Sequence, residues 1–180
     1  VSALSSSFSI LFLFWTLTML VKKIALKGGN ALDNGQKIAI FGSAAVGALA
    51  YTFTDSFWFS AVEGEVYAMS SFFTALVFWA IFKWEVETEK HGALIAAGQP
   101  SSFNPNRWLI FIVYMIGLSI GVHLLNLLAI PAIGFVIYFQ KTKVVELKGF
   151  LLAGIISLLT LGIIQSVVIP KIPAIADIFE

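Results

Sequence analysis

Trp108-Leu-Ile-Phe-Ile-Val-Tyr-Met-Ile-Gly-Leu-Ser-Ile-Gly121-Val-His-Leu-Leu-Asn-Leu-Leu-Ala-Ile-Pro131-Ala-Ile-Gly-Phe-Val-Ile-Tyr-Phe-Gln140 is a run of 33 residues without a charged side chain. As one helix it would be about 50 Å long, against a hydrocarbon core of about 30 Å, too long for a single crossing even with tilt. The run carries its own interruption: Gly121-Val-His123, then Asn126, then Pro131. We read two crossings, Trp108–Val122 and Leu124–Gln140, joined by a tight turn around His123.

Working outward, four further apolar segments stand out: Ala3–Val21, Ile38–Thr54, Val66–Phe82 and Phe150–Ile169. None of the chain's 11 Lys and Arg or 10 Asp and Glu residues lies inside any of the six segments. The whole chain of 180 residues is 59% hydrophobic and 12% charged, where soluble domains carry about 25% charge. Too few charges remain to cover a soluble globule, which excludes a soluble enzyme, a nucleic-acid binder with a basic face and a disordered tail. The expected fold is all-α, a polytopic transmembrane helical bundle of about six spans, with residues 1–180 forming one membrane domain. Val1–Val21 has no basic n-region and no cleavage-type end, so it is read as a span and the chain as an internal fragment of a longer protein.

Six crossings put segments 22–37, 83–107 and 141–149 on one side, with every Lys and Arg except Lys171. By the positive-inside rule that side is cytoplasmic. A single crossing over 108–140 would scatter the basic loops, which favours the hairpin. In the longest connection, Lys83-Trp-Glu-Val-Glu-Thr-Glu-Lys90 is able to extend a helix into water; Glu85, Glu87 and Glu89 alternate and read as a solvated charge run. Tyr51, Phe53, Phe57, Trp58, Phe59 and Tyr67, with Phe82, Trp84 and Trp108 at the other end, read as aromatic belts or as packing between helices.

Few residues here can carry chemistry. The outer loop holds Asp55, Glu63 and Glu65 and no basic residue. Carboxylates there serve a site at the membrane surface, as base or ligand, or favour a helix N-terminus by about 0.3–1 kcal/mol. Trp58 is an interfacial anchor or a sugar platform. His123 and Asn126, three apart, bond neighbouring backbone or contact an anionic or hydroxylated ligand. One His makes no metal site, and Cys is absent. Gly117-Leu-Ser-Ile-Gly121 permits close helix approach. Gln165 in the last span reads as an interhelical hydrogen bond. Uncharged spans disfavour a transporter, whereas a non-catalytic envelope scaffold fits the composition equally well.

Three stretches carry a resemblance. Phe57-Trp-Phe-Ser-Ala-Val-Glu-Gly-Glu-Val-Tyr-Ala-Met-Ser70, Gly117-Leu-Ser-Ile-Gly-Val-His-Leu-Leu-Asn-Leu127 with Pro131, and the opening Val1–Trp15 resemble a bacterial multispanning family of formerly unknown function. That family is linked to protein O-mannosyltransferase-like enzymes, including a vertebrate transmembrane member. The resemblance implies a GT-C-like membrane glycosyltransferase in the bacterial inner membrane, active at its outer face. It implies a lipid-linked sugar donor (a polyprenyl-phosphate sugar) and a protein or glycan acceptor, with membrane lipids as surroundings. It carries over onto Trp58, Glu65, Tyr67, His123 and Asn126, with Glu63 in fewer relatives. The family's first outer loop, Phe-Trp-Asp-Cys-Gly-Glu, is the natural place for the catalytic acid; it is expected before Val1, and the chain has no Cys.

Overall fold

In a computed structural model, residues 1–26, 31–63, 66–100, 103–142 and 144–171 are described. Among them the regular structure is helical throughout: α1 Ser2–Leu26, α2 Asn34–Thr52, α3 Asp55–Val62, α4 Tyr67–Ala96, α5 Arg107–Ile120, a 3₁₀ turn Leu124–Leu128, α6 Ala129–Lys141 and α7 Leu147–Ile163, prolonged by a π-helical turn Ile164–Val168. Four helical stretches are long and apolar enough to cross a membrane: Ser2–Leu26, Tyr67–Ala96, Leu124–Lys141 and Leu147–Lys171. The pair α2 and α3, bent by 66°, qualifies together. The 14 residues of α5 rise about 21 Å, so this helix alone is shorter than the hydrocarbon core. Each of the six apolar segments is thus helical, and the chain is an integral membrane protein of all-α architecture. The helices fall into two compact units, Val1–Asn126 and Leu127–Glu180.

The first unit is built around α1, which packs on α4, α2 and α3, while α5 packs on α4. The side chains that α1 buries are Ser5, Ser6, Ser9 and Thr16, and its exposed ones include Leu4, Phe8, Leu11, Trp15 and Leu20. This inverts the soluble pattern. Lipid solvates Leu and Phe well, so helices meet through small residues and hydroxyls that let backbones approach. Ser9 and Thr16 satisfy their hydroxyls on the carbonyls of Ser5 and Phe12, each at 2.8 Å. α2 answers with buried Ala44 and Ala48, and a Cβ at Gly47 would stand 3.1 Å from Leu17 Cδ1. Asp33 starts α2 with a full capping box: its Oδ1 accepts from Gln36 N–H at 2.7 Å, and Gln36 Oε1 accepts from Asp33 N–H at 3.1 Å. Between α1, α4 and α5 lies an aromatic cluster, with Phe12–Trp79 and Trp79–Trp108 centroids 5.1 and 5.5 Å apart.

α4 bears out the helical extension over Lys83–Lys90 and prolongs it to Ala96. It runs straight through residues 83–96, half of the expected long loop, and ends at Gly98 in a Schellman motif: φ is 69°, Gln99 N–H donates to Leu94 C=O and Gly98 N–H to Ile95 C=O, each at 3.0 Å. The glutamates, in contrast, are not a solvated run. Glu85 and Glu89, one turn apart, both pair with Lys23 of α1, and Glu87 pairs with Lys83 and Lys90 at 3.2 Å. The Glu85 side chain is only 13% exposed. Spacing of two residues scatters three charges around a helix, but spacing of four reunites two of them, and α1 supplies their cation. Of the two roles open to the aromatic residues, Trp84 takes the packing between helices and is buried, whereas Phe53, Trp58 and Phe59 are exposed. We expect Lys23→Met to cost about 1–2 kcal/mol by stranding a half-buried carboxylate, and a Lys23→Met/Glu85→Gln cycle to show coupling of about 1 kcal/mol in thermal unfolding.

The anticipated interruption is present. α5 stops at Ile120, Val122 and His123 N–H both return to Ser119 C=O at 3.0 and 2.9 Å, and α6 starts at Ala129. Pro131 falls in the first turn of α6, where its missing N–H leaves no bond unmade.

In the second unit α6 and α7 pair antiparallel. Gly134 meets Ser157, Phe135 meets Gly154 and Tyr138 meets Gly149. Phe135 stacks on Phe150 at 4.8 Å, and Tyr138 OH bridges both backbone groups of Glu146 at 3.2 Å. Gln165, expected in an interhelical bond, is exposed on the π-helical turn and makes none among the described residues.

Candidate functional site

The expected outer loop is mostly a helix. α3 follows α2 after a two-residue bend in which Thr54 Oγ1 donates to Tyr51 C=O at 2.8 Å. Phe57 anchors it, buried and 4.8 Å from the Tyr51 ring. Asp55 is exposed in its first turn, where a carboxylate complements the helix dipole, and Glu63 is exposed just past its end. Trp58 is 54% exposed and stacks on Phe53. Glu65 lies outside the described residues.

The first turns of α1, the start of α4 and the break after α5 meet around a pocket of about 290 Å³ lined by Val1, Ser2, Ser5, Val66, Met69, Gly121 and Val122. Beside these residues, Tyr67 and His123 face each other with ring centroids 5.9 Å apart. His123 Nδ1 accepts the Leu125 N–H at 3.1 Å. An accepting Nδ1 leaves Nε2 to carry the proton of the neutral ring, so His123 presents an N–H donor. α5 ends on Gly121, which has ordinary helical dihedrals (φ −68°, ψ −13°), and no side chain walls the pocket at that point.

Asn126 is placed differently from Tyr67 and His123. It is 1% exposed, and its Nδ2 donates to Ser119 Oγ at 3.0 Å, which donates on to Ile116 C=O at 2.7 Å. It ties the 3₁₀ turn to the end of α5 and so holds the peptide that carries His123. Its Oδ1 has no partner among the described residues. Trp58 lines a separate pocket with Ser6 and Phe57. The structure thus joins Tyr67 with His123, supports them with Asn126, and places Trp58 and Asp55 on α3. Ser2 and Ser5, which wall the site, were not picked out from the sequence, although five serines in positions 2–9 of an apolar helix are a signal that something polar is faced. Among the described residues no group of three His, Asp or Glu could hold a metal ion.

Fold and site together define a polytopic helical membrane protein with a small pocket at one end of its first unit, apolar apart from two serines. Residues 1–146 match the family model described as protein O-mannosyl-transferase TMEM260 N-terminal domain, and the chain belongs to that family. No curated protein and no solved structure matched in the corresponding searches.

Proposed function

We propose that the chain is part of the membrane core of a polyprenyl-phosphate-sugar-dependent glycosyltransferase of GT-C type, O-mannosyltransferase-like, working at the outer face of a bacterial inner membrane. The observation that carries this reading is the convergence of three separate stretches, from positions 1–5, 66–69 and 121–123, on one pocket with Tyr67 and His123 beside it, inside the span matched by the family. A polyprenyl phosphate keeps its tail in lipid and its phosphosugar at the interface. On this reading the starts of α1 and α4 and the end of α5 form the rim that meets the phosphosugar, with the far end of α4 opposite.

The transfer balances simply. An acceptor hydroxyl oxygen bonds to the anomeric carbon, the bond from that carbon to the phosphate oxygen breaks, and the polyprenyl phosphate leaves with the electron pair. The hydroxyl proton goes to a carboxylate, for which Glu65 is the first candidate and Glu63 the second, with the upstream acidic loop of the family as the other source. His123 Nε2–H and the Tyr67 hydroxyl are the donors suited to the departing phosphate.

The test is transfer itself. Full-length protein in proteoliposomes, given radiolabelled polyprenyl-phosphate mannose and a Ser/Thr-containing acceptor protein, should move label into the acceptor. A folded, monodisperse protein that moves none rejects the reading.

A further inference from the structure

α1 and α4 run side by side in the same direction, Phe12 meeting Trp79 and, further along, Lys23 meeting Glu85 and Glu89. Between their ends, remote from Tyr67 and His123, lies a pocket of about 420 Å³. Met19, Leu26 and Val86 give it apolar walls, and Lys22, Lys23, Lys90 and Glu89 are its charged members.

The charges at this end do not cancel. Lys23 takes up Glu85 and Glu89, and Glu87 is shared by Lys83 and Lys90. Four ammonium groups thus meet three carboxylates. Lys22, which is exposed, is the one that pairs with no carboxylate among the described residues. The single carboxylate in the lining, Glu89, is held by Lys23 at 3.2 Å.

Depth narrows the ligand further. Lys22 is the first charged residue of α1 and Lys83 the first of α4. The pocket therefore straddles the level at which the apolar segments Ala3–Val21 and Val66–Phe82 give way to charge, and Met19 lies on the hydrocarbon side of it. A free phosphate makes no use of Met19, Leu26 and Val86, and an acyl chain makes none of the ammonium groups. A molecule with an anionic head and an apolar tail uses both, and basic pockets between spans hold such headgroups.

We propose that this pocket binds one anionic phospholipid, its phosphate on Lys22 with Lys90 as second cation, and an acyl chain against Met19 and Val86. The lipid bridges α1 and α4 at the end away from the proposed transfer site, and its binding does not depend on sugar transfer.

The experiment captures the lipid in place. Full-length protein carrying Met19→p-benzoylphenylalanine is reconstituted in vesicles of dioleoylphosphatidylglycerol and dioleoylphosphatidylcholine in equal amounts and irradiated. Lipid adducts on the α1 peptide are then counted by mass spectrometry. Phosphatidylglycerol adducts should outnumber phosphatidylcholine adducts about fivefold, the preference that one unpartnered lysine near the surface confers. The same probe at Leu11, exposed in mid-span, should report the bulk ratio. Lys22→Gln should bring the Met19 ratio to within about twofold of bulk, and Lys22→Gln/Lys90→Gln to the bulk ratio. Lys37→Gln, in the first turn of α2 and outside the pocket, should leave it unchanged, as should added inorganic phosphate. A Met19 ratio equal to that at Leu11, a ratio untouched by Lys22→Gln, an equal loss in Lys37→Gln, or displacement of the adduct by inorganic phosphate would overturn the site. Leu26→p-benzoylphenylalanine, in the same pocket, gives the same readout if the Met19 variant does not fold.

Discussion

Glu65→Gln in the full-length protein should insert normally and lose sugar transfer by about 10²–10⁴-fold, equivalent to about 3–5 kcal/mol of transition-state stabilisation. The substitution keeps the size and polarity of the side chain and removes only its charge and basicity. The rival role is electrostatic support of a helix N-terminus, because α4 begins two residues later at Tyr67. Such support is worth about 0.3–1 kcal/mol, so under that role Glu65→Gln lowers stability slightly and turns over at near the wild-type rate. Initial-rate measurements with saturating donor, alongside thermal unfolding, separate the two. Transfer within about threefold of wild type refutes Glu65 as base and moves the proton acceptor to Glu63 or to the upstream loop. Glu63→Gln, in an exposed position past the end of α3, tests the second candidate in the same assay.

Gly134→Leu should destabilise the α6–α7 pair by about 1–3 kcal/mol, the cost of overpacking an interface that has no room. A Cβ at Gly134 would overlap Ser157 Oγ and lie 3.0 Å from Ser157 Cβ, and Ser157 is itself buried and tied to Ala153 C=O at 2.7 Å. Neither helix can yield locally, so they must separate. Gly162→Ala on α7, with nothing within 4 Å, should be neutral or slightly stabilising. Gly134→Ala should be milder than Gly134→Leu, and Ser157→Gly should rescue it. Thermal unfolding of the full-length variants checks the series, and a Gly134→Leu transition unchanged from wild type would show that this packing is absent.

The two classes of residue differ in how far their roles could be read from the chain. Spans and their interruption are legible because the bilayer imposes them: a run of 33 uncharged residues must break somewhere, and Gly121, His123 and Pro131 mark the place. What α1 does with its serines is not legible from hydropathy, since a helix in lipid hides its polar side, and the apolar count of 1–26 is the same whichever way Ser5, Ser6 and Ser9 point. The glutamates of α4 mislead for a related reason. Their fate depends on Lys23, more than 60 residues earlier, and only the packing of α1 on α4 brings that cation to Glu85 and Glu89. Trp58 and Tyr67 lie in one family-like stretch yet line or flank different pockets, because α3 occupies most of the distance between them.

The central claim is a transfer site at the end of the first unit where α1 and α4 start, opposite the end of α4 at Ala96. It is tested most directly by making the transfer assay one-sided. Full-length protein is reconstituted with radiolabelled polyprenyl-phosphate mannose, its orientation fixed by single cysteines at Gly64 and Gly98 that react with an impermeant reagent from opposite sides. An impermeant acceptor protein is then supplied to one compartment at a time. The account predicts label in the acceptor on the Gly64 side and background counts on the Gly98 side. Labelling confined to the Gly98 side, or on neither side with folded protein, would contradict it.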